Sequence, residues 1–233
     1  MHVEPFRIAV PEAVLTDLRL TDLVFVAFDT ETTGLPKNFD APMQQLDNWP
    51  RVIQLAWRTT DLKGNLISER ELLIKPDGWE VPVGKFWIEH GFNTATNEAK
   101  GRPMDHVLCD FVTDLFQSEY LVSHNMDFDH KVLGAEMLRY KITGKRLLKI
   151  CTKEASTAWC KIPFGGHRGY LSRTQGRYKW PKLEELHKKL FGVDFDNKHQ
   201  AGGDVAALSK CFFELVRIGV IQLEPEHMKE ALL

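Results

Sequence analysis

The chain has 233 residues, 43% of them hydrophobic and 27% charged, with a formal net charge of −2. That composition excludes a disordered chain, and the length suffices for one sizeable hydrophobic core. The near-neutral total conceals an asymmetry: Arg139 to Lys189 holds 14 Lys/Arg against three acids, the remainder 16 against 29, so one strongly basic segment points to an anionic partner on one face.

Residues 1–22 read as an appended, partly helical leader, broken by Glu4, Arg7, Pro11, Glu12, Asp17 and Arg19 in a way no signal peptide is. Leu23–Phe28 is an apolar run of six residues, too short to span a bilayer and typical of a strand buried on both faces. No membrane association is expected. Val52–Thr60 and Leu66–Ile74 read as two strands joined by the glycine-containing Asp-Leu-Lys-Gly-Asn turn. Residues 103–117 and Phe128–Tyr140 carry helical spacing, with short strands at Leu121–Ser123 and Leu147–Cys151.

Residues 160–181 contain four glycines, two prolines and interleaved basic and aromatic side chains: Lys161, Arg168, Arg173, Arg177 and Lys179 among Phe164, Tyr170, Tyr178 and Trp180. Such a stretch reads as a functional loop in which cations track phosphates and rings stack on bases. Lys182–Leu190 and Gly202–Ile218 resume helical periodicity, and 219–233 reads as a helical tail. The order of elements predicts an α/β domain over 23–218, with a central mixed five-stranded sheet flanked by helices. Cys109, Cys151, Cys160 and Cys211 form no CxxC pair and read as reduced thiols of a cytoplasmic protein. A zinc site from Cys151, Cys160 and His167 is the sharper alternative, but its spacing matches no common ligand pattern.

Four acids stand in telling contexts: Asp29 and Glu31 in FDTETTG, Asp129 in SHNMDFD, and Asp204 in HQAGGD, five residues after His199. Residues i and i+2 of a strand project to one side, so Asp29 and Glu31 face a common point. Thr32, Thr33 and Gly34 follow in a turn suited to a phosphate or a terminal hydroxyl. Taken singly, each acid is as well explained by a cap or a turn. Gathered together they repel, by about 4 kcal/mol per pair near 4 Å at an intermediate dielectric, and a hard divalent cation is the natural compensation.

The joint pattern resembles the DEDDh exonuclease family (DnaQ-like), within the ribonuclease-H-like superfamily. FDTETTG matches its D-x-E-T-T-G motif, His124-Asn125-Met126-Asp127-Phe128-Asp129 its H-N-A-x-F-D motif, and His199-Gln200-Ala201-Gly202-Gly203-Asp204 its H-x-A-x-x-D motif. Met126 and Gln200 depart from the usual residues, and a larger side chain at 126 is expected to reshape the nucleotide pocket. The resemblance covers residues 23–217 and implies a ribonuclease-H-like exonuclease fold. It implies two divalent ions, Mg²⁺ or Mn²⁺, held by Asp29, Glu31, Asp129 and Asp204. Asp29 would bridge both, Glu31 and Asp204 would hold the ion that activates water, and Asp129 would act through water on the other. His199 would be the general base. His124, Asn125, Phe128 and Leu35 would meet the terminal nucleotide, and Arg173, Arg177 and Lys179 the strand behind it.

The leading expectation is therefore a metal-dependent 3′–5′ exonuclease releasing nucleoside 5′-monophosphates from single-stranded DNA, standing alone or serving a DNA polymerase or repair partner. An RNA- or oligonucleotide-trimming exonuclease is the second reading, since the active-site motifs do not separate the two. A catalytically inactive nucleic-acid-binding module is the third, and the intact set of five residues speaks against it.

Overall fold

A computed structural model describes residues 24–164, 178–196 and 200–223. Five strands form one mixed sheet in the order β3-β2-β1-β4-β5. They are β1 (Val24–Thr32), β2 (Val52–Asp61), β3 (Leu66–Leu73), β4 (Tyr120–Ser123) and β5 (Leu148–Cys151). β1, β2 and β3 are antiparallel neighbours; β4 runs parallel to β1, and β5 parallel to β4. The central strands β1 and β4 are apolar on both faces up to the chemistry-bearing end of β1, whereas β3 is an exposed, charged edge. In the turn between β2 and β3, Asp61 Oδ1 accepts from the backbone N–H groups of Lys63 and Asn65 at 2.9 and 2.8 Å. Gly64 adopts φ +81° there, and a Cβ on it would sit 3.2 Å from the Phe213 ring.

Helices cover both faces. α1 (Lys85–Glu89), α2 (Thr94–Lys100), α3 (Met104–Phe116) and α4 (Met126–Arg139) follow β3 and β4. α5 (Thr152–Cys160), α6 (Leu183–Phe191) and α7 (Ala201–Arg217) follow β5. Period-two alternation along β1 sorts the core. Val26 and Phe28 pack with Trp57, Phe111 and Val132 on the α3/α4 face. Phe25 and Ala27 pack with Leu186, Val205 and Phe212 on the α6/α7 face. Odd-numbered residues of β1 therefore look toward α7, and even-numbered ones toward α4.

The sheet and the long helices agree with the sequence reading; three helices do not appear in it. α1 and α2 are five and seven residues long, too short to establish a 3.6-residue period. α5 starts directly after β5 with no turn residue between, so its nine residues merged with the strand and the following loop. β1 also runs past Phe28 through Asp29 and Glu31 to Thr32, because β2 pairs with it along that whole length. The tail assigned to 219–233 begins as part of the body: Ile221 is buried against the α7 face, and its N–H donates to Leu215 O at 3.1 Å. The leader lies outside the described residues. Among the described residues no helix is long and apolar enough to cross a membrane.

Candidate active site

The odd–even sorting of β1 builds the site. Asp29 and Glu31 point to the α7 side, and α7 presents Asp204 from its first turn. One carboxylate oxygen from each of Asp29, Glu31 and Asp204 lies within 4.8 Å of the other two. Thr30, between the two acids, points the other way and donates its hydroxyl to Asp129 Oδ1 at 2.8 Å. Ser123, the last residue of β4, donates to Asp129 Oδ2. Asp129 thus approaches from the α4 face with both oxygens engaged, near enough to act electrostatically on Asp29 and Glu31. The four acids, spread over 176 positions of sequence, converge.

Burial and mutual repulsion both oppose ionisation here. Burial, then the charges of Asp129, Asp204 and Glu31, hold the Asp29 carboxyl well above the ordinary carboxylate range. Burial and the Asp204 and Asp129 charges push Glu31 up to about 8. Asp129, also raised by burial, rises only to about 6, because Ser123, Thr30 and the nearby Lys153 favour its anion. A cluster of oxygens this crowded and desolvated matches the donor set of a hard divalent ion.

The remaining expected contacts divide. Leu35 is 75% exposed at the end of the turn after β1, open to a ligand. Phe128 is half-buried, its ring centroid 6.4 Å from that of Phe39. Thr32 donates its hydroxyl to Gly34 O at 2.7 Å, and its own carbonyl accepts from Trp87 Nε1 at 3.0 Å. Thr33 Oγ1 accepts from Arg51 N at 3.0 Å. Both hydroxyls brace the turn. His124 is locked from both sides, with ring nitrogens 2.9 Å from Thr152 Oγ1 and 3.0 Å from Pro181 O. Burial lowers its pKa to about 4, so it is a neutral strut rather than a cation for phosphate. Met126 is buried in the α3/α4 core.

Much of the basic segment is occupied internally. Lys179 Nζ sits 2.6 and 2.8 Å from the two carboxylate oxygens of Glu185. Arg139 pairs with Glu136, Lys182 with Glu184 and Lys188 with Asp194. His199, Arg173, Arg177, Arg168, Tyr170 and His167 lie outside the described residues. The thiols of Cys151, Cys160 and Cys211 are all pushed up by burial, Cys211 to about 12, the behaviour of inert core cysteines.

Sequence reasoning missed Thr30, Ser123, Gln54 and Lys153. Gln54 stands opposite Glu31 in the β1–β2 register, and its Oε1 accepts the Ala201 N–H at 3.0 Å. Its Nε2 donates to Glu71 Oε1 at 2.9 Å. The Gln200 side chain makes no cap bond, so an acceptor on β2 satisfies the first amide of α7 and sets where Asp204 stands. A lone polar residue on the inward face of VIQLAW was the available signal.

Comparison with known proteins agrees with this geometry. No protein-family model matches the chain. The PolC-type DNA polymerase III of Streptococcus pneumoniae aligns at 25% identity over 228 residues, covering 92% of this chain and 14% of the polymerase. That of Streptococcus suis aligns at 27% over 197 residues, covering 84% and 11%. E. coli exonuclease I in complex with a dT13 oligonucleotide superposes with a TM-score of 0.62 at 19% identity, over 84% of this chain and 42% of that one. The chain has the exonuclease I fold. Exonuclease X in complex with 5′-overhanging duplex DNA superposes with a TM-score of 0.54 at 16% identity, over 89% of this chain and 98% of that one. The chain is thus homologous to a small part of PolC-type DNA polymerase III, and it shares its mixed five-stranded architecture with exonuclease I. The motif resemblance to DnaQ-like exonucleases is supported from both directions.

Proposed function

We propose that this chain is a metal-dependent 3′–5′ exonuclease that removes nucleoside 5′-monophosphates from single-stranded DNA. The convergence of Asp29, Glu31 and Asp204 within 4.8 Å carries the reading. Exonuclease I bound to dT13 supports a single-stranded DNA substrate, and the PolC homology supports a polymerase or repair setting.

The residues fit a pair of Mg²⁺ or Mn²⁺ ions: an all-oxygen donor set, desolvated, with proton affinities raised by mutual repulsion. Asp29, Glu31 and Asp204 would hold them, with Asp129 completing the set. When bound, such ions neutralise the phosphate and activate the attacking water. The chain's own groups do the rest. Thr30 and Ser123 fix the Asp129 carboxylate through its two oxygens. Gln54 fixes the start of α7 and hence Asp204. His199, two residues before α7, takes the proton from the attacking water; an imidazole with a pKa near 6.5 suits that step at neutral pH. Leu35 and Phe128 flank the terminal nucleotide.

The test is digestion of 5′-labelled DNA and RNA oligomers, single- and double-stranded, with EDTA and then with restored Mn²⁺. Stepwise shortening of the DNA from its 3′ end, abolished by chelation and recovered with Mn²⁺, is expected. RNA shortened faster than matched DNA would move the assignment to RNA trimming, and no metal-dependent shortening of either would end it.

A further inference from the structure

The half-buried cations of the basic segment raise a specific question: which of them touches no carboxylate and stands beside the acidic cluster? Arg139 and Lys179 each sit against a carboxylate. Lys145 donates to Ser118 O at 2.8 Å and lies in the field of Glu119. Lys153, at the second position of α5, stands near enough to Asp129 of the acidic cluster to favour its anion. Its Nζ donates to Asn125 Oδ1 at 2.5 Å and lies 4.2 Å from the centroid of the Trp180 ring. Among the described residues no carboxylate comes within 4.0 Å of it. A partly desolvated ammonium is costly unless an anion meets it.

The surroundings are built rather than incidental. His124 bridges Thr152 and Pro181; Lys153, the chain neighbour of Thr152, bridges Asn125 and Trp180, the chain neighbours of His124 and Pro181. Two adjacent cross-links therefore tie the start of α5, the start of α4 and the segment 178–182 into one wall. Asn125 leads directly into α4, which carries Asp129 four residues on. An amide acceptor and an aromatic face hold the ammonium by two of its sides, leaving a third donor direction for a ligand.

We propose that Lys153 binds a backbone phosphate of the nucleic-acid strand on the Asp129 side of the acidic cluster, held in place by Asn125 and Trp180. This rests on the exonuclease reading, because it takes the strand to pass over that cluster. It assigns to α5, absent from the motif resemblance, a direct contact with substrate. Lys153 is then a cation that favours the Asp129 anion without touching a carboxylate, and keeps a donor for the ligand.

The experiment measures binding of a fluorescent single-stranded dT oligomer to the full chain by anisotropy, with Ca²⁺ in place of Mg²⁺. Salt is varied between roughly 50 and 200 mM. Lys153→Met should weaken binding about tenfold, the scale of one charge-assisted hydrogen bond. It should also reduce the slope of log affinity against log salt by about 0.7, the value for one phosphate contact on a single strand. Lys153→Arg should keep the slope. An unchanged slope in Lys153→Met, whether or not affinity falls, overturns the phosphate contact. A wild-type chain that binds no oligonucleotide overturns the exonuclease reading as well, which separates the two failures.

Discussion

Glu31 gives the sharpest quantitative expectation. The residue is 9% exposed, and its pKa rises from 4.5 to about 8 through burial and then the charges of Asp204 and Asp129. The folded chain therefore holds this proton over a pH range in which the unfolded chain has released it. With more protons bound in the native state, unfolding free energy falls as pH rises. The contribution is fully present below about pH 4.5 and is lost as pH climbs through about 8. At about 1.36 kcal/mol per unit, a rise of that size is worth roughly 5 kcal/mol, comparable to the whole stability of a marginal domain. Asp129, raised from 3.8 to about 6, adds to the loss at the acidic end of that window. The assay is urea unfolding in EDTA at a series of pH values between about 5 and 8. Wild type should lose several kcal/mol across the series, and Glu31→Gln should lose much less and be the more stable protein at the alkaline end. Divalent ion at about a hundred times its dissociation constant should restore about 2.7 kcal/mol to the wild type and little to the variant. A wild-type stability that is flat or rising across that interval in EDTA would refute the crowding argument.

Other substitutions test other parts of the site. His199→Ala should cut turnover by about 10² to 10⁴ while leaving Mn²⁺ binding, followed by electron paramagnetic resonance, near wild type; near-normal turnover removes its role as base. Gln54→Met deletes the acceptor for the Ala201 amide, and should destabilise the chain by about 1–2 kcal/mol, speed hydrogen exchange at that amide and weaken Mn²⁺ binding through a displaced Asp204. Intact protection at Ala201 would show that the helix start is held by something else. Glu136 is 1% exposed and sits 2.8 Å from Arg51 Nε and 3.1 Å from Arg139 Nη1. Glu136→Ala should cost about 3–5 kcal/mol in urea unfolding, with little change in Mn²⁺ affinity.

What the sequence disclosed and what it hid follow from range. Buried strands announce themselves through short apolar runs, and the period of two placed Asp29 and Glu31 on one side before any coordinates. Period two also implies that Thr30 faces the opposite way, and that is how Asp129 enters from the other layer. The fate of individual polar groups was not legible. Lys179 and Arg139 count equally with Lys153 in a charge sum, yet only the folded chain brings Glu185 and Glu136 against the first two. His124 lies inside a motif and reads as a ligand contact, but its partners Thr152 and Pro181 are 28 and 57 residues away, beyond any local pattern. α5 was invisible for a related reason: a helix of nine residues abutting a strand takes its definition from packing rather than from its own periodicity.

The distribution of charge explains why the fold accepts four repelling carboxylates. Each is held by an element whose main stabilisation comes from elsewhere. β1 is anchored by hydrogen bonds to β2 and β4, α7 by Val205, Leu208 and Phe212, and α4 by Val132 and Leu133. Burying side chains of this kind contributes about 1.5–3 kcal/mol each, so these apolar anchors together outweigh the several kcal/mol of repulsion at the strand ends. The cost is thus carried by the two cores on either side of the sheet while the acids sit at the rim where the layers meet. A domain arranged this way should tolerate Asp or Glu to Asn or Gln changes in the cluster with a gain in metal-free stability, and should lose stability on trimming Phe212 or Val132. Cluster variants that prove less stable than wild type in EDTA at neutral pH would mean that the acids hold the fold together rather than strain it.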